Sequence, residues 1–136
     1  MQVENAVRAE RDQSRAFFAD LEDGPIIMVN LLKFRPFARY ADGAESDLPG
    51  AAAYGRYAEA VTRLIVGLGG RLLSGGEVTG LLIGQVEALW DKVLLVEYPS
   101  TAAFREMLAS PQMRAIEHHR EAGLDGQLNI RIRPRP

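Results

Sequence analysis

Cysteine is absent from the 136-residue chain, so disulfides, thiolate metal sites and cysteine nucleophiles are excluded. The only two histidines, His118 and His119, are adjacent. On a helix, adjacent residues point about 100° apart, which keeps both from facing one metal ion. No metal site is expected, and nothing in the sequence asks for a cofactor. An excess of one charge is also lacking: 16 Lys and Arg against 18 Asp and Glu leave a formal net charge of −2. Such a surface has no general attraction for a phosphate backbone, so nucleic acid is not an expected partner. The basic run Arg131, Arg133 and Arg135 reads as a charged strand edge and a solvated tail.

Long apolar runs are missing too. None approaches the ~20 residues needed to cross a bilayer, so no membrane partner is expected. The stretch from Met1 to Asp12 mixes Glu4, Arg8, Glu10, Arg11 and Asp12 without an apolar core and is not a signal peptide. The cytoplasm is the simplest location. Established catalytic signatures are absent as well: there is no G-x-G-x-x-G, no G-x-x-x-x-G-K-S/T, no G-x-S-x-G and no H-E-x-x-H. Glycines 67, 69, 70, 75 and 76 have the wrong spacing for a phosphate loop and read as strand ends and bulges.

What is present is a globular composition, 47% hydrophobic and 25% charged, in a chain one domain long. Residues 5 to 21 read as a helical arm with few apolar anchors, Val7, Phe17, Phe18 and Leu21, before a turn at Asp23, Gly24 and Pro25. The division expected is an N-terminal arm over 1–23 and a single domain over 24–136. Residues 26 to 34, I-I-M-V-N-L-L-K-F, form a first strand apolar on both faces. The polar stretch from Arg35 to Gly50 is long for a loop; such loops often act as lids or binding loops, and it is expected to be more mobile than the strands.

Tyr54, Tyr57, Ala58, Val61, Leu64, Ile65 and Leu68 recur at helical spacing. Residues 71 to 86 are strand-like but broken by Gly75, Gly76 and Gly80, which predicts a bulged or bent strand, with a turn around Glu87 to Asp91. V-L-L-V-E-Y at 93 to 98 is a second two-sided apolar strand. Ser100 suits a helix N-cap, Ser110 and Pro111 restart helix, Gly123 ends it, and L-N-I-R-I-R at 128 to 133 alternates as a half-buried strand. The order β-α-β-β-α-β after the arm predicts an α+β, ferredoxin-like fold with the first and third strands central.

Both helices of that topology cover one sheet face. If Ile27, Val29 and Leu31 face the helices, then Met28, Leu32 and Phe34 form an apolar patch on the other side, larger than a monomer usually exposes. A second copy stacked sheet on sheet would cover it, so a homodimer is expected.

V-N-L-L-K-F-R at 29 to 35, A-Y-G-R-Y-A at 53 to 58, W-D-K-V-L-L-V-E-Y-P-S at 90 to 100 and H-R-E-A-G-L at 119 to 124 carry a family resemblance. The chain from about Gly24 to Arg133 resembles the uncharacterised bacterial family numbered thirteen-thirty among the domains of unknown function, a branch of the dimeric α/β-barrel proteins. That resemblance implies a ferredoxin-like fold and a dimer whose two sheets enclose a cavity. The wider superfamily includes cofactor-free monooxygenases, lactone isomerases and haem-handling enzymes, which points to small organic ligands and not to one reaction.

Several residues are candidates for such chemistry. Taking Met113 and Ile116 as the inward helix face places His119 inside and His118 outside. His119 is then either a bonded structural histidine or a ligand contact and general acid/base. Asn30 interrupts an apolar strand, needs a partner or a ligand, and by alternation shares the face of Met28 and Leu32, the presumed cavity face. Asn129, Arg131 and Arg133 share one face of the last strand. Arg131 and Glu97 are placed to meet across the first strand, as a structural ion pair or as an anion-binding arginine in a sheet-lined pocket. Tyr54 and Tyr57 are core residues or line a pocket mouth. The leading functional expectation is a cofactor-independent small-molecule enzyme, monooxygenase or isomerase-like, using His119, Asn30 and Arg131 on an oxygenated apolar substrate; the alternative is a non-catalytic ligand-binding or sensing dimer.

Overall fold

In the computed structural model, which describes residues 2–20 and 24–135, the apolar run Ile26–Phe34 is β1, a central strand of a four-stranded sheet. It begins directly after Gly24, whose φ of 107° is open to glycine and to few other residues. β1 is followed by α2 (Gly50–Gly67), β2 (Arg71–Glu77), β3 (Lys92–Tyr98), α3 (Thr101–Leu108), α4 (Pro111–Gly123) and β4 (Leu124–Ile132), with α1 (Arg11–Ala19) ahead of the sheet. The strand order is β2-β3-β1-β4 with every neighbouring pair antiparallel. This is the α+β, ferredoxin-like arrangement, with the continuously apolar strands β1 and β3 in the middle.

Local chemistry sets the helix boundaries. Ser100 accepts a hydrogen bond from the Ala103 amide at 3.0 Å, and Ser110 accepts one from Met113 at 3.1 Å, so each hydroxyl satisfies an otherwise orphaned amide. Pro111 takes the first turn of α4, where its missing N–H costs nothing. Helices α2 and α4 touch through their smallest residues. A Cβ on Gly50 would come within 2.1 Å of the Arg35 carbonyl oxygen, and one on Gly123 within 2.5 Å of the Gly50 carbonyl. The core lies between these helices and the sheet: Ile26, Met28, Val96 and Tyr98 pack against Val61, Ile65, Phe104, Met107 and Met113. Each such side chain, fully buried, contributes roughly 1.5–3 kcal/mol.

The core reverses the expected faces of β1. Ile26, Met28 and Leu32 are buried against the helices, while Ile27, Val29 and Leu31 stay partly exposed on the other side. In β1 both sets are apolar, so alternation defines two faces without saying which one the helices cover. Packing decides it, since Met28 and Val96 meet Val61, Ile65 and Met113 of the helices; the register then puts Arg131, opposite Met28, and Asn30, Leu94 and Asn129, opposite one another, on that same face. The open face instead carries Ile27, Val29 and Leu31 with Val93 and Leu95 of β3 and Ile130 and Ile132 of β4.

Three segments differ from expectation. Among the described residues of the arm only Arg11–Ala19 is helical; before it the chain has no helix, and Ala6 bridges Gln127 as an extra rung beside β4. Val7, Phe17 and Phe18 pack on the core as anticipated, whereas Leu21 and Asp23 lie outside the described residues. β2 ends at Glu77 after a register shift between Leu72 and Ser74. No strand among the described residues covers the outer edge of β2, and the connection beyond it leaves Leu82 96% and Ile83 84% exposed. The 35–49 loop is tied down at its stem, with Ala38 bonded to Leu48 at 2.7 Å and Arg39 to the Ala122 carbonyl at 2.9 Å. No helix among the described residues is long and apolar enough to cross a membrane.

Candidate functional site

The helices do not fill the space over β1 and β4. Between the helix-side face of the sheet, α2, α4 and the N-terminal segment lies a cavity of about 810 Å³, within the range of about 300–1,000 Å³ typical of small-molecule sites. Met28, Asn30, Gln127 and Asn129 line it from the sheet. Tyr54 and Tyr57, three apart on one face of α2, line it with Tyr98 from the end of β3. Val7, Phe17 and Phe18 of the N-terminal segment also face it.

One directional chain of hydrogen bonds crosses this cavity. Arg120 of α4 donates to Gln127 Oε1, Gln127 Nε2 donates to Asn30 Oδ1 at 2.9 Å, and Asn30 Nδ2 reaches the Met28 and Leu94 carbonyls at 3.3 and 3.4 Å. Because a guanidinium only donates, its contact fixes the orientation of both amides. Arg120 also donates to the Val7 carbonyl at 2.6 Å, so the same side chain holds the N-terminal segment over the site. The polar interruption of β1 is thus satisfied within the chain.

The tyrosines are not. Tyr54 and Tyr98 are only 7% and 5% exposed as residues, but their hydroxyls and that of Tyr57 have no hydrogen-bond partner among the described residues and are not fully buried atoms, so they open to the cavity. Burial pushes all three phenols above their ordinary pKa, and Arg120 pulls the other way on Tyr54 and Tyr57. The hydroxyls therefore stay protonated near neutral pH and remain hydrogen-bond donors.

His119 belongs to a different cluster. Its Nδ1 lies 2.7 Å from the Tyr40 hydroxyl, which Arg56 contacts at 3.2 Å; Arg56 in turn pairs with both oxygens of Glu45 at 2.7 and 2.8 Å. Glu45 carries a φ of 53°, the one left-handed non-glycine among the described residues. Partial burial, then His118, then Arg56 hold His119 below its ordinary pKa, against the pull of Glu45. The hydrogen bond from Arg56 keeps Glu45 below the usual carboxylate range.

The expected site is therefore only partly assembled. Asn30, Tyr54, Tyr57 and Asn129 do meet around one cavity. His119 and Asn30 are not brought together, because the 35–49 loop folds over the His119 side of α4, while His118 is exposed, as an outward position should be, and also lines the cavity. The cavity lies on the helix side of the sheet, which is the side of Met28 and Asn30 as alternation required, but not the open side. Arg131 and Glu97 do not pair: they point to opposite faces. Glu97 pairs with Arg71 at 3.1 Å on the open face, whereas Arg131 stacks over Phe17 at 4.0 Å and bonds Asp20 and the Phe17 carbonyl. Arg120, Gln127 and Tyr98 were missed. Arg120 was legible, since it stands seven residues after Met113 on the same helical stripe. Gln127 was not, because it precedes the alternating run. Among the described residues no group of His, Asp and Glu is placed to hold a metal ion.

The comparisons agree with this architecture. The chain is similar to the crystal structure of RPA0582, a protein of unknown function from Rhodopseudomonas palustris, at 34% identity over 98% of this chain and 99% of that one, with a TM-score of 0.88. It is similar to methylated RPA0582 at 36% identity over 97% and 96%, with a TM-score of 0.90. The structure of At3g17210 from Arabidopsis thaliana, 17% identical over 82% of this chain and 96% of that one with a TM-score of 0.53, shares the fold alone. No curated protein matches the chain. A family model spans residues 44–131, inside the stretch that the sequence motifs marked out, and the chain belongs to that family, the Domain of unknown function (DUF1330).

Proposed function

We propose that this chain binds a small oxygenated, mostly apolar organic molecule in the cavity between its sheet, α2, α4 and N-terminal segment. The observation that carries the reading is the set of three tyrosine hydroxyls, on Tyr54, Tyr57 and Tyr98, lining an aromatic cavity without partners among the described residues. These hydroxyls are not fully buried atoms but open to the cavity, so a ligand carbonyl or hydroxyl can take the hydrogen bond that no side chain takes. Raised phenol pKa values favour holding such a ligand over exchanging protons with it. Met28, Met107 and Met113 all line the cavity, so their methyl NMR signals report occupancy directly. Titration with a panel of quinols, lactones and keto acids should shift these three signals; a panel that moves none of them sinks the reading.

The binder acts as a homodimer in this proposal. Its open sheet face, with Val29 between Leu95 and Ile130, is apolar across β3, β1 and β4. A second copy stacked on this face in an isologous dimeric barrel would remove it from water.

Turnover by a cofactor-independent enzyme is the second reading. His118 favours it, as an imidazole that lines the cavity and a side chain able to take up or release a proton. Product formation from the same panel distinguishes the two.

A further inference from the structure

We infer that Arg120 is a carboxylate-binding residue and that the cavity takes an aromatic carboxylic acid, a conclusion that rests on the ligand-binding reading above. Arg120 is partly buried and lines the cavity. Its hydrogen bonds among the described residues run to two neutral acceptors, Gln127 Oε1 and the Val7 carbonyl, and it makes no ion pair among them. Its neighbours on the surface are already paired, Arg8 with Glu121 at 2.7 Å and Arg131 with Asp20 at 3.4 Å. A guanidinium drawn from water without a counter-charge is costly, and its planar fork matches a carboxylate.

The surroundings of Arg120 fit the rest of such an acid. Tyr54 and Tyr57 line the same cavity as Arg120 with two donors unpartnered among the described residues, and the Arg120 charge acts on both phenols. Phe17, Phe18 and Phe104, with edge-to-face contacts between Phe17 and each of the other two, offer ring surfaces to an aromatic tail. Three carboxylates also line the cavity: Glu121, paired with Arg8, the exposed Glu4, and Glu117. Glu117 is exposed, so water screens its charge. Arg131, the arginine that the sequence favoured for an anion, is occupied by the N-terminal segment, and Arg120 takes that role.

The test uses cinnamate and its uncharged analogue cinnamamide, read on the methyl signals of Met28, Met107 and Met113. Wild type should bind cinnamate tighter by about tenfold or more, the factor of one charge-assisted hydrogen bond. Arg120→Gln should bind the two alike, and Arg120→Lys should restore part of the preference. A purely structural arginine would weaken both probes equally and leave their ratio unchanged, which overturns the inference. Equal binding of acid and amide by wild type overturns it as well and leaves the cavity reading standing. If neither probe moves the methyls while neutral lactones or quinols do, the carboxylate falls alone; if nothing moves them, both fall.

Discussion

The Tyr40 hydroxyl lies 2.7 Å from Nδ1 of His119, and the same oxygen receives the Arg56 guanidinium at 3.2 Å. Arg56 can only donate, so the phenolic hydrogen points at the imidazole, Nδ1 is the acceptor and neutral His119 carries its proton on Nε2. Five residues of three segments, Tyr40, Glu45, Arg56, His118 and His119, thereby share one electrostatic cluster.

Removing the Tyr40 donor should raise the pKa of His119, because the hydroxyl favours the neutral ring. Arg56→Gln should raise it also, since it deletes a cation and frees the Glu45 carboxylate, two changes of the same sign. Proton NMR titration of the two imidazoles in wild type, Tyr40→Phe and Arg56→Gln checks this. A downward shift in either variant contradicts the assigned geometry.

The depressed His119 pKa has a consequence for stability. Between that value and the ordinary 6.5, the unfolded chain holds a proton on His119 that the folded chain lacks, so stability rises with pH across the window. Its contribution is complete above 6.5 and lost as pH falls toward the folded value. Urea midpoints measured from about pH 7.5 down to about pH 5 should fall more steeply in wild type than in His119→Gln. Parallel profiles would show that His119 titrates alike in both states.

Gly50→Ala should cost about 1–3 kcal/mol through overpacking. The added methyl meets the Arg35 carbonyl oxygen at 2.1 Å and the Gly123 carbonyl at 2.9 Å, both backbone atoms with little freedom to withdraw. Denaturant unfolding of the variant measures it, and an unchanged midpoint would mean that α2 and α4 are further apart than described.

Gly126→Ala should lift the N-terminal segment instead of unfolding the domain. A Cβ there comes within 2.6 Å of the Asn5 Cβ, and Asn5 accepts the indole hydrogen of Trp90 at 2.7 Å. Trp90 is the only tryptophan, so its emission reports docking of the segment. The variant should show altered Trp90 emission and faster proteolysis before residue 20, with the far-ultraviolet circular dichroism retained.

Val29→Asp tests the homodimer at the centre of the open face, opposite Leu95 and Ile130. Light scattering during gel filtration should give a dimer for wild type at micromolar concentration and a folded monomer for the variant. A wild-type mass of one chain would remove the dimer from the proposal.

The sequence by itself determined the elements and their order. Serine caps, Pro111, glycine stops and two-sided apolar runs act through neighbours within a few residues, and their effect is readable without the rest of the chain. Family membership was legible for the same reason, in contiguous motifs. Only the tertiary structure decided which face of β1 the helices cover, since Ile27, Val29 and Leu31 are as apolar as Met28 and Leu32. The strand register, another tertiary outcome, separated Glu97, opposite Ile27, from Arg131, opposite Met28, and put Asn30 within reach of Gln127. The tertiary structure also decided the fate of the histidines: a helix position faces whatever segment folds onto it, and here the 35–49 loop met His119 while the cavity met His118. Contacts between residues roughly a hundred positions apart, such as Val7 with Arg120, leave no periodic signal, because the energy that selects them comes from closing the whole chain around one core.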